Sequence, residues 1–548
     1  MRKSLRRGLL AYALAPGAVP LATFFRSALI EPLAGGKLEN AAAYGTASTG
    51  TSYVICSGFS RLVPSKRAEP ASVESVLICV LWPFKRNPKS CTLSSMPKTF
   101  AIVNLGCAKN EVDAEGMAQV LRGAGYLPTG DADGATVVIV NTCGFIQAAT
   151  DESVGELARL ARRKRPGQLL VAAGCLAQKW ADKLAAQLPE VDAVLGTRRW
   201  GEIADLLAEA ERGLRPCWTG AGSAAPRVRR LAHGASAYLK IADGCSVGCA
   251  FCVIPSLKGP YRSRPRAEVI AEAAELAAQG VKELVLIAQD TTFYGRDRGE
   301  QDGLVHLVEG ILAAAPTAPW LRLMYAYPTH LDAELLRLMA GEPRLLPYVD
   351  LPLQHAHPDV LRRMRRPAAD PRKLVARLRA AVPGVVLRST FIVGFPGETD
   401  DEFAALLRFL EEARLERVGV FAYSREEGTP AAALPDQVPD NVKQRRVDEA
   451  MRLQQRLSHE LNRGQVGRVL DVLVEGTAPL AARSVRPGSG RARRRREVLT
   501  CGRSYRDAPE VDGLVLFRGQ ASPGEIVPVR ITEALPYDLV GERARTET

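Results

Sequence analysis

Residues 243–252 read DGCSVGCAFC, and this stretch organises the interpretation of the whole chain. Its three cysteines, Cys245, Cys249 and Cys252, have the spacing C-x3-C-x2-C on a loop that contains two glycines. Thiolates are the usual ligands of iron–sulfur clusters. Three thiolates on a four-iron cluster would leave one iron open to a small molecule. The loop therefore predicts a cluster that binds a ligand.

Two simpler interpretations compete with the cluster, namely an incomplete zinc site and three unrelated buried thiols. A structural zinc site needs four ligands, and neither a histidine nor a fourth cysteine stands near this loop. A chance grouping is disfavoured because the chain has only 11 cysteines among 548 residues. The iron–sulfur cluster is the favoured prediction.

The cysteine loop follows an apolar strand predicted over Ala237–Ile241. In this position the motif resembles that of the radical S-adenosylmethionine (SAM) superfamily. The resemblance implies that the open iron binds the amino acid part of SAM. It also implies that one electron cleaves SAM to a 5′-deoxyadenosyl radical.

Residues 1–95 differ from the rest of the chain. A basic start over Met1–Arg7 precedes an apolar run over Gly8–Phe25 that resembles a targeting segment. The run contains two prolines and is short for a membrane-spanning helix. Because Met96 stands directly before the first convincing strand, we expect residues 1–95 to be a disordered extension or the result of a start placed too far upstream. No membrane association is expected.

Composition and charge narrow the function only a little. The chain is 47% hydrophobic and 24% charged, as is usual for globular proteins. Residues 1–95 hold 12 Lys and Arg against four Glu, so eight of the 13 net positive charges lie there. The remaining charge gives no argument for a nucleic-acid partner. An odd number of cysteines, 11, predicts a reducing compartment and hence a cytoplasmic protein.

A second group of cysteines follows three successive predicted strands. The strands are Phe100–Leu105, Thr136–Asn141 and Leu169–Ala173, and the cysteines are Cys107, Cys143 and Cys175. Helical stretches between the strands, such as Asp113–Ala124 and Asp151–Lys164, predict a parallel sheet, in which the strand ends meet at one edge. Cysteine is also a common small buried residue, but three in equivalent positions favour a second cluster site.

The sequences around these cysteines are GCAKNEVD over residues 106–113, NTCGF over 141–145 and GCL over 174–176. They resemble the amino-terminal domain of the methylthiotransferases. In that family three such cysteines hold an auxiliary [4Fe-4S] cluster, which the resemblance implies for Cys107, Cys143 and Cys175. Glu111 departs from the family pattern, which commonly has an apolar residue at this position.

Six strand–helix units predict a partial (β/α)6 barrel in the middle of the chain. Its strands are expected at Ala237–Ile241, Leu284–Ala288, Leu321–Tyr325, Tyr348–Leu353, Val385–Val393 and Arg417–Ala422. Polar residues past the strand ends, including Gln289 and His355, are candidates for the active edge, although a lone histidine there is more often structural.

The segment from Gly394 to Thr399, with Gly397 and Glu398, resembles the glycine-rich SAM-contacting segment of the superfamily. An ordinary tight turn is the alternative. The candidate SAM contacts are therefore Gly394, Gly397, Glu398 and Gln289.

The carboxyl-terminal part begins with a polar helix over Asn441–Asn462, predicted to be a connector. Short strands at Arg468–Val474, Leu514–Phe517 and Ile526–Ile531 predict a small antiparallel barrel that resembles the TRAM domain. The arginine run at Arg491 and 493–496 is interpreted as a solvated loop that could touch RNA.

The predicted fold is α/β, with a Rossmann-like parallel-sheet N-domain, a partial (β/α)6 radical SAM barrel and a small C-terminal antiparallel β-barrel. The predicted organisation is an extension over 1–95, a methylthiotransferase N-terminal domain over 98–212, a linker over 213–234, a radical SAM domain over 235–462 and a TRAM domain over 464–542.

Two branches of the methylthiotransferase family differ in substrate: one modifies a tRNA adenosine, the other the β-carbon of an aspartate in the twelfth small-subunit ribosomal protein. The segment Gly502–Gly513, like Ile287–Thr292, Leu351–His355 and Ala433–Pro439, resembles the ribosomal-protein branch. Its acidic residues are interpreted as suited to a basic ribosomal protein rather than to a phosphate backbone. tRNA is the alternative substrate.

The resemblance implies a mechanism with two [4Fe-4S] clusters and SAM as both radical source and methyl donor. The radical abstracts hydrogen from the aspartate β-carbon. Sulfur held at the auxiliary cluster accepts a methyl group and is transferred to that carbon. A reductase or flavodoxin-like protein is the expected electron donor.

Overall fold

The computed structural model describes residues 97–223, 226–479 and 498–544. The predictions for residues 1–95 and for the arginine run lie outside these ranges. Within them, no helix is both long enough and apolar enough to cross a membrane.

The first sheet has six parallel strands in the order β2-β1-β3-β4-β5-β6. The strands are β1 Thr99–Asn104, β2 Leu127–Pro128, β3 Val137–Thr142, β4 Leu169–Gly174, β5 Ala193–Gly196 and β6 Cys217–Trp218. The helices are α1 Ala108–Gly123, α2 Gln147–Ala161, α3 Cys175–Gln187 and α4 Ile203–Ala210. The three strands predicted from their apolar runs are confirmed to within one residue at each end.

The segment predicted as a linker over 213–234 is partly structured. β6 adds a sixth strand to the edge of the first sheet by pairing with β5. Arg230 is buried, and its guanidinium pairs with Glu115 on α1 and with Glu272 at 2.7 Å. The segment therefore contributes to both neighbouring parts of the fold, and short strands such as β6 give little signal in the sequence.

The second sheet is a partial barrel of six parallel strands in the order β14-β13-β12-β11-β10-β7. These strands are β7 Ser236–Lys240, β10 Glu283–Ile287, β11 Trp320–Leu323, β12 Leu345–Asp350, β13 Val386–Val393 and β14 Arg417–Ala422. The short pair β8 Ala242–Asp243 and β9 Arg262–Ser263 flanks the cysteine loop. The six predicted strand–helix units are thus confirmed.

Helices connect the strands of the second sheet, and all but α5 and α9 contribute to the core on its outer face. They are α5 Ile254–Lys258, α6 Arg266–Ala278, α7 Gly303–Ala314, α8 Ala333–Gly341, α9 Pro358–Arg363, α10 Pro371–Ala381, α11 Asp400–Ala413 and α12 Asp440–Arg463. The last helix, which was predicted to be a connector, joins the partial barrel to the closed barrel and is also part of the main core. Ala450, Met451, Leu453 and Leu457 of α12 are buried in the main apolar core, because its long polar sequence conceals a narrow apolar stripe.

The third unit is a closed barrel in the strand order β15-β16-β17-β19-β18. Its strands are β15 Val469–Pro479, β16 Val498–Ser504, β17 Val515–Arg518, β18 Ile526–Ala534 and β19 Leu539–Arg543. Four of its ladders are antiparallel and the β17–β19 ladder is parallel. The small barrel predicted from short strands is confirmed, and closure leaves no unpaired edge.

The three units meet on the inner face of the partial barrel. Val285 and Ile287 of β10 lie in one buried cluster with Ala108 of α1 and with Leu473 and Ala508 of the closed barrel. An open partial barrel exposes an apolar concave face, and burying that face joins the units. The start of α1, and with it Cys107, is thereby held at the barrel.

Candidate active site

The first cysteine loop follows β7 and is shaped by glycines. Gly244 has a φ of +76°, and a side chain there would collide with the Pro260 carbonyl oxygen at 2.1 Å. The amide of Cys245 donates to the Gly259 carbonyl oxygen at 3.1 Å, and the amide of Cys252 donates to that of Cys249 at 3.1 Å. These bonds fold the loop and bring its three thiols near one another.

The three thiols of this loop interact electrostatically. Burial, together with the charges of Cys249 and Cys245, raises the pKa of Cys252 to about 12. Burial also raises the pKa of Cys245, while an amide hydrogen bond from Val247 lowers it. These thiols are half-buried and lie next to amide donors, and their thiolates would repel one another, so a cation or a metal cluster would stabilise them as ligands.

A basic residue that the sequence did not reveal borders this loop. Arg366 donates a hydrogen bond to the Cys249 sulfur at 3.8 Å. Its guanidinium lies 4.3 Å from the ring centre of Tyr327 and lowers the pKa of both Cys245 and Cys252. Arg366 lies more than 100 residues from the loop in the chain, so no local motif indicates it.

The glycine-rich segment packs against the same loop. Phe395 belongs to a buried cluster with Ala250, and the amide of Ala250 donates to the Met364 carbonyl oxygen at 2.9 Å. Gly394 and Gly397 have φ values of +70° and +73°. The structure thus brings the predicted glycines and the cysteine loop together at one edge of the barrel.

The two other predicted SAM contacts differ in their surroundings. Gln289 follows β10 and is half-buried at the strand end. Glu398 is buried, accepting from the Phe395 amide at 3.1 Å and from the Arg446 guanidinium at 3.1 Å, and burial raises its pKa to about 7. Its carboxylate therefore holds the backbone of the glycine-rich segment through the Phe395 amide. Contact between Glu398 and SAM stays a prediction.

His355 has a structural environment. Its Nδ1 accepts a hydrogen bond from the His357 amide at 3.0 Å. The ring is fully buried, and burial lowers its pKa to about 3. The histidine is therefore neutral at ordinary pH, which favours the structural interpretation over that of a proton carrier.

The second group of cysteines gathers at the carboxyl edge of the first sheet. Cys107 precedes α1, Cys143 directly follows β3, and Cys175 begins α3 directly after β4. Burial, together with the charges of Cys175 and Cys107, raises the pKa of Cys143 to about 12. The sheet thus brings the three predicted residues together.

Two asparagines and a glycine hold this group. The Asn110 side chain donates to the Thr142 carbonyl oxygen at 3.0 Å and accepts from the Cys175 thiol at 3.6 Å. Asn141 in turn donates to the Asn110 carbonyl oxygen at 2.7 Å. Gly174, with a φ of +95°, permits the tight turn between β4 and α3.

Both groups of three thiols, here called the loop triad (Cys245, Cys249, Cys252) and the sheet triad (Cys107, Cys143, Cys175), fit an iron–sulfur cluster by their donor chemistry. Each has three sulfur ligands in mutual electrostatic contact. All six thiols are free of disulfide bonds. Backbone amides of Phe145 and Ile254 donate to Cys143 and Cys252, as expected around cluster sulfurs.

The two triads adjoin one another. Cys175 of the sheet triad lies in one buried cluster with Val253 and Leu257, directly after Cys252 of the loop triad. A side chain at Gly259 would come within 3.2 Å of the Arg198 guanidinium, so the sheet domain lies close to the end of the cysteine loop. The edge of the first sheet therefore faces the active edge of the barrel.

Four charged side chains form ion pairs at this junction. Asp113 on α1 pairs with Lys240 and, at 3.4 Å, with Lys258, and Asp243 pairs with the same lysines at 3.1 and 3.3 Å. The two lysines hold the pKa of Asp243 far below its usual range. Burial raises the pKa of Cys175, and the charge of Lys258 opposes this rise, so this cation favours a thiolate in the sheet triad.

The interpretation of the acidic residues in Gly502–Gly513 as suited to a basic protein is wrong for Asp507 and Asp512, whereas Glu510 is exposed. Asp507 is buried and pairs with Arg417 at 2.6 Å. Asp512 accepts from the Tyr348 hydroxyl at 2.5 Å and lies 3.5 Å from Arg388. The segment binds the inner face of the partial barrel. Sequence alone could not reveal this, because the partner arginines sit on distant strands.

Family models match the same three regions of the chain. An uncharacterised family, UPF0004, matches residues 99–196, the radical SAM superfamily matches 239–410, and the TRAM domain matches 466–543. Use of SAM and of iron–sulfur chemistry follows from the second match.

Curated relatives match nearly the full described length. The "Ribosomal protein uS12 methylthiotransferase RimO" of Roseiflexus sp. (strain RS-1) is 50% identical over 470 residues, with 81% of this chain and 96% of the relative covered. The protein of the same name from Chloroflexus aurantiacus is 48% identical over 464 residues, with 81% and 99% covered.

Among solved structures, the radical SAM methyltransferase TsrM from Kitasatospora setae is 14% identical, with a TM-score of 0.47 and with 69% of this chain and 77% of that chain covered. A likeness this distant carries no argument. The match to the curated relatives extends through all three parts of the fold. On that ground the chain belongs to the RimO family of methylthiotransferases.

Proposed function

We propose that this chain transfers a methylthio group to ribosomal protein uS12 and that the acceptor is the β-carbon of an aspartate. The name shared by relatives about half identical over 96% or more of their length supports the ribosomal protein. The structural observation that carries the chemistry is the adjacency of the two triads, through Cys175, Val253 and Leu257. A transfer of this kind needs a radical source and a sulfur carrier within reach of one carbon.

The residues divide into two sites. The loop triad would hold the cluster that works with SAM, with Gly394, Gly397, Glu398 and Gln289 near the ligand. The sheet triad would hold the auxiliary [4Fe-4S] cluster. When bound, these groups would supply one-electron cleavage of SAM, the sulfur and the methyl group.

The protein's own groups prepare this junction. Arg366 at the loop triad and Lys258 at the sheet triad place positive charge where thiolates must be held. The ion pairs of Asp113 and Asp243 with Lys258 fix the distance between α1 and the cysteine loop. Cys175 packs against Val253 and Leu257 in a buried apolar contact between the two sites.

Several finer assignments belong to the same proposal. The domain boundaries are 98–212, 213–234, 235–462 and 464–542. The electron donor is a reductase or a flavodoxin-like protein, and the site of action is the cytoplasm, where thiols stay reduced. tRNA is not the favoured substrate, because the similar curated relatives carry the ribosomal-protein name.

The proposal is tested by an anaerobic assay of the reconstituted enzyme with SAM, sulfide and reductant. Protein uS12 and an anticodon stem-loop RNA are offered in parallel and analysed by mass spectrometry. We expect one methylthio group on uS12 and none on the RNA. Transfer to the RNA alone would reject the proposed substrate while keeping the chemistry.

Cysteine variants test the two-site assignment. Cys249→Ala should abolish both SAM cleavage and transfer, whereas Cys107→Ala should retain SAM cleavage and lose transfer. Each should lose roughly half of the bound iron, because one of two four-iron sites is removed. Cys217→Ala, which changes an exposed cysteine on β6 outside both triads, is the matched control and should behave like the wild type. Full transfer by Cys107→Ala would refute the assignment of the sheet triad.

A further inference from the structure

Lys109 is a buried cation at the junction of the two triads. The proposed chemistry assigns no role to this residue. It lies in the first turn of α1, two residues after Cys107, and is only 4% exposed. Its Nζ lies 2.9 Å from the centre of the Tyr325 ring, just past the end of β11. Lys109 thus connects the sheet triad to the active edge of the barrel.

The neighbouring charges leave this ammonium without an acceptor. Lys240 and Lys258 each pair with Asp113 and Asp243. Asp350, the acidic residue at the end of β12, is engaged by Arg388 at 2.8 Å and by the Tyr325 amide at 3.2 Å. Within residues 97–223, 226–479 and 498–544, no hydrogen bond or ion pair reaches the Lys109 ammonium.

An ammonium on a largely buried side chain costs free energy when it has no acceptor, unless a ligand supplies one. The ring face of Tyr325 offsets a part of this cost, since a cation over an aromatic face is attracted by the ring quadrupole. A ring is a weaker partner than a carboxylate, which forms charge-assisted hydrogen bonds. The remaining interaction capacity of Lys109 suits an anion that arrives from outside the chain.

The start of α1 adds to the attraction for an anion. Lys109 is in the first turn of a 16-residue helix, where the helix dipole is positive. Cys107, at the amino-terminal cap of that helix, is exposed, so this corner is open to solvent on the side of the sheet triad. An entering group therefore reaches Lys109 beside the cysteine that begins the triad.

We propose that Lys109 binds the side-chain carboxylate of the substrate aspartate and so holds its β-carbon between the two triads. The inference rests on the proposed function and deepens it, because it names the residue that distinguishes aspartate from other side chains. Lys109 is here a substrate-binding residue, and its charge, rather than a proton transfer, does the work. An amide of the same shape as the carboxylate would lack the negative charge that the site selects.

The test measures binding of uS12 to the reconstituted enzyme with SAM and without reductant, so that no turnover occurs. Two forms of uS12 are compared, one with the target aspartate and one with asparagine in its place. We expect the wild type to bind the aspartate form tighter by about 10-fold or more, the range of a hydrogen bond to a charged group. Lys109→Met should bind both forms alike, at the level of the wild type with the asparagine form.

Two further variants separate binding from structure. Lys109→Arg keeps the positive charge and should keep a preference for the aspartate form. Lys164→Met removes a lysine that pairs with Asp192 at the opposite edge of the same sheet, and it should behave like the wild type. The iron content of every variant is measured, and Lys109→Met should retain the full content, because the lysine is not a ligand.

The outcomes are decisive in both directions. Two results would overturn the inference and leave Lys109 as a packing residue. One is a preference for the aspartate form that persists in Lys109→Met, and the other is an equal loss of affinity for both forms of uS12 in that variant. Loss of iron in Lys109→Met together with loss of preference in Lys109→Arg would also overturn it. If the wild type discriminates between the two forms of uS12 but never transfers a methylthio group, the proposed function fails while the carboxylate site stands.

Discussion

Gly174 shows how a single residue sets the position of a candidate ligand. It joins β4 to Cys175 with a φ of +95°, and a side chain there would approach the Thr142 carbonyl oxygen to 2.6 Å. Backbone atoms cannot move aside as a flexible side chain can. The turn that places the Cys175 thiol in the sheet triad therefore requires glycine on two grounds, conformation and space.

We expect Gly174→Ala to destabilise the sheet domain by about 2 kcal/mol or more and to reduce iron binding at the sheet triad, because both strain and collision act there. Gly167→Ala is the matched control, with a φ of +79° and open space around the added carbon. It should cost about 1 kcal/mol and leave iron binding intact. Denaturant unfolding and iron analysis would measure both effects, and equal costs for the two variants would contradict this account of Gly174.

At the scale of the elements, the closed barrel explains the role of the segment Gly502–Gly513. Gly502–Gly513 runs from β16 towards β17 and lies against the inner face of the partial barrel. Asp507 supplies the acidic partner of Arg417 on β14, and both side chains are at most 5% exposed. The segment is thus a structural bridge between two sheets rather than a contact surface.

Asp507→Asn should therefore lower the free energy of unfolding by about 3 kcal/mol or more, since it leaves the Arg417 charge buried without its partner. Glu411→Gln removes a carboxylate that pairs with Arg456 at the surface, where both side chains are more than half exposed, and should cost at most about 1 kcal/mol. Denaturant titration of both variants measures the difference. Similar costs would mean that the buried pair contributes no more than a surface pair.

At the scale of the whole molecule, a buried charge cluster around Glu283 joins two of the three parts of the fold. This carboxylate, at the start of β10, pairs with Arg322 of β11 at 2.7 Å and with Arg503 of β16 at 2.5 Å. The charges of the two arginines outweigh the effect of burial and lower the pKa of Glu283 from 4.5 to about 2. The cluster links the closed barrel to the partial barrel.

The lowered pKa gives this link a defined pH dependence. Ionised Glu283 stabilises the fold fully above about pH 4.5, and the contribution is lost as the pH falls towards about 2. Glu283→Gln should destabilise the protein by about 3 kcal/mol near neutral pH, and this difference should narrow by about 1 kcal/mol by about pH 3.5. Chemical unfolding of both proteins over this pH range is the measurement. A difference that stays constant with pH would refute the linkage.

Much of the site follows from local sequence. Strand ends in a parallel sheet share one edge, so the convergence of Cys107, Cys143 and Cys175 could be predicted from three apolar runs. The cysteine loop carries its own spacing and glycines, and the glycine-rich segment follows a recognisable strand. These features depend on residues close together in the chain, which is why the sequence by itself determined the fold of each part, the two triads and the family resemblance.

The tertiary structure alone decided how these parts meet. Lys109 contacts Tyr325, the Cys249 sulfur accepts a hydrogen bond from Arg366, and Asp507 pairs with Arg417. The partners in each pair are far apart in the sequence, so no local pattern indicates these contacts. The apolar stripe of α12 was missed, and Asp507 and Asp512 were misinterpreted, for the same reason. Charge and polarity in a sequence do not tell whether a side chain faces water or a buried partner, since burial is a property of the packed molecule.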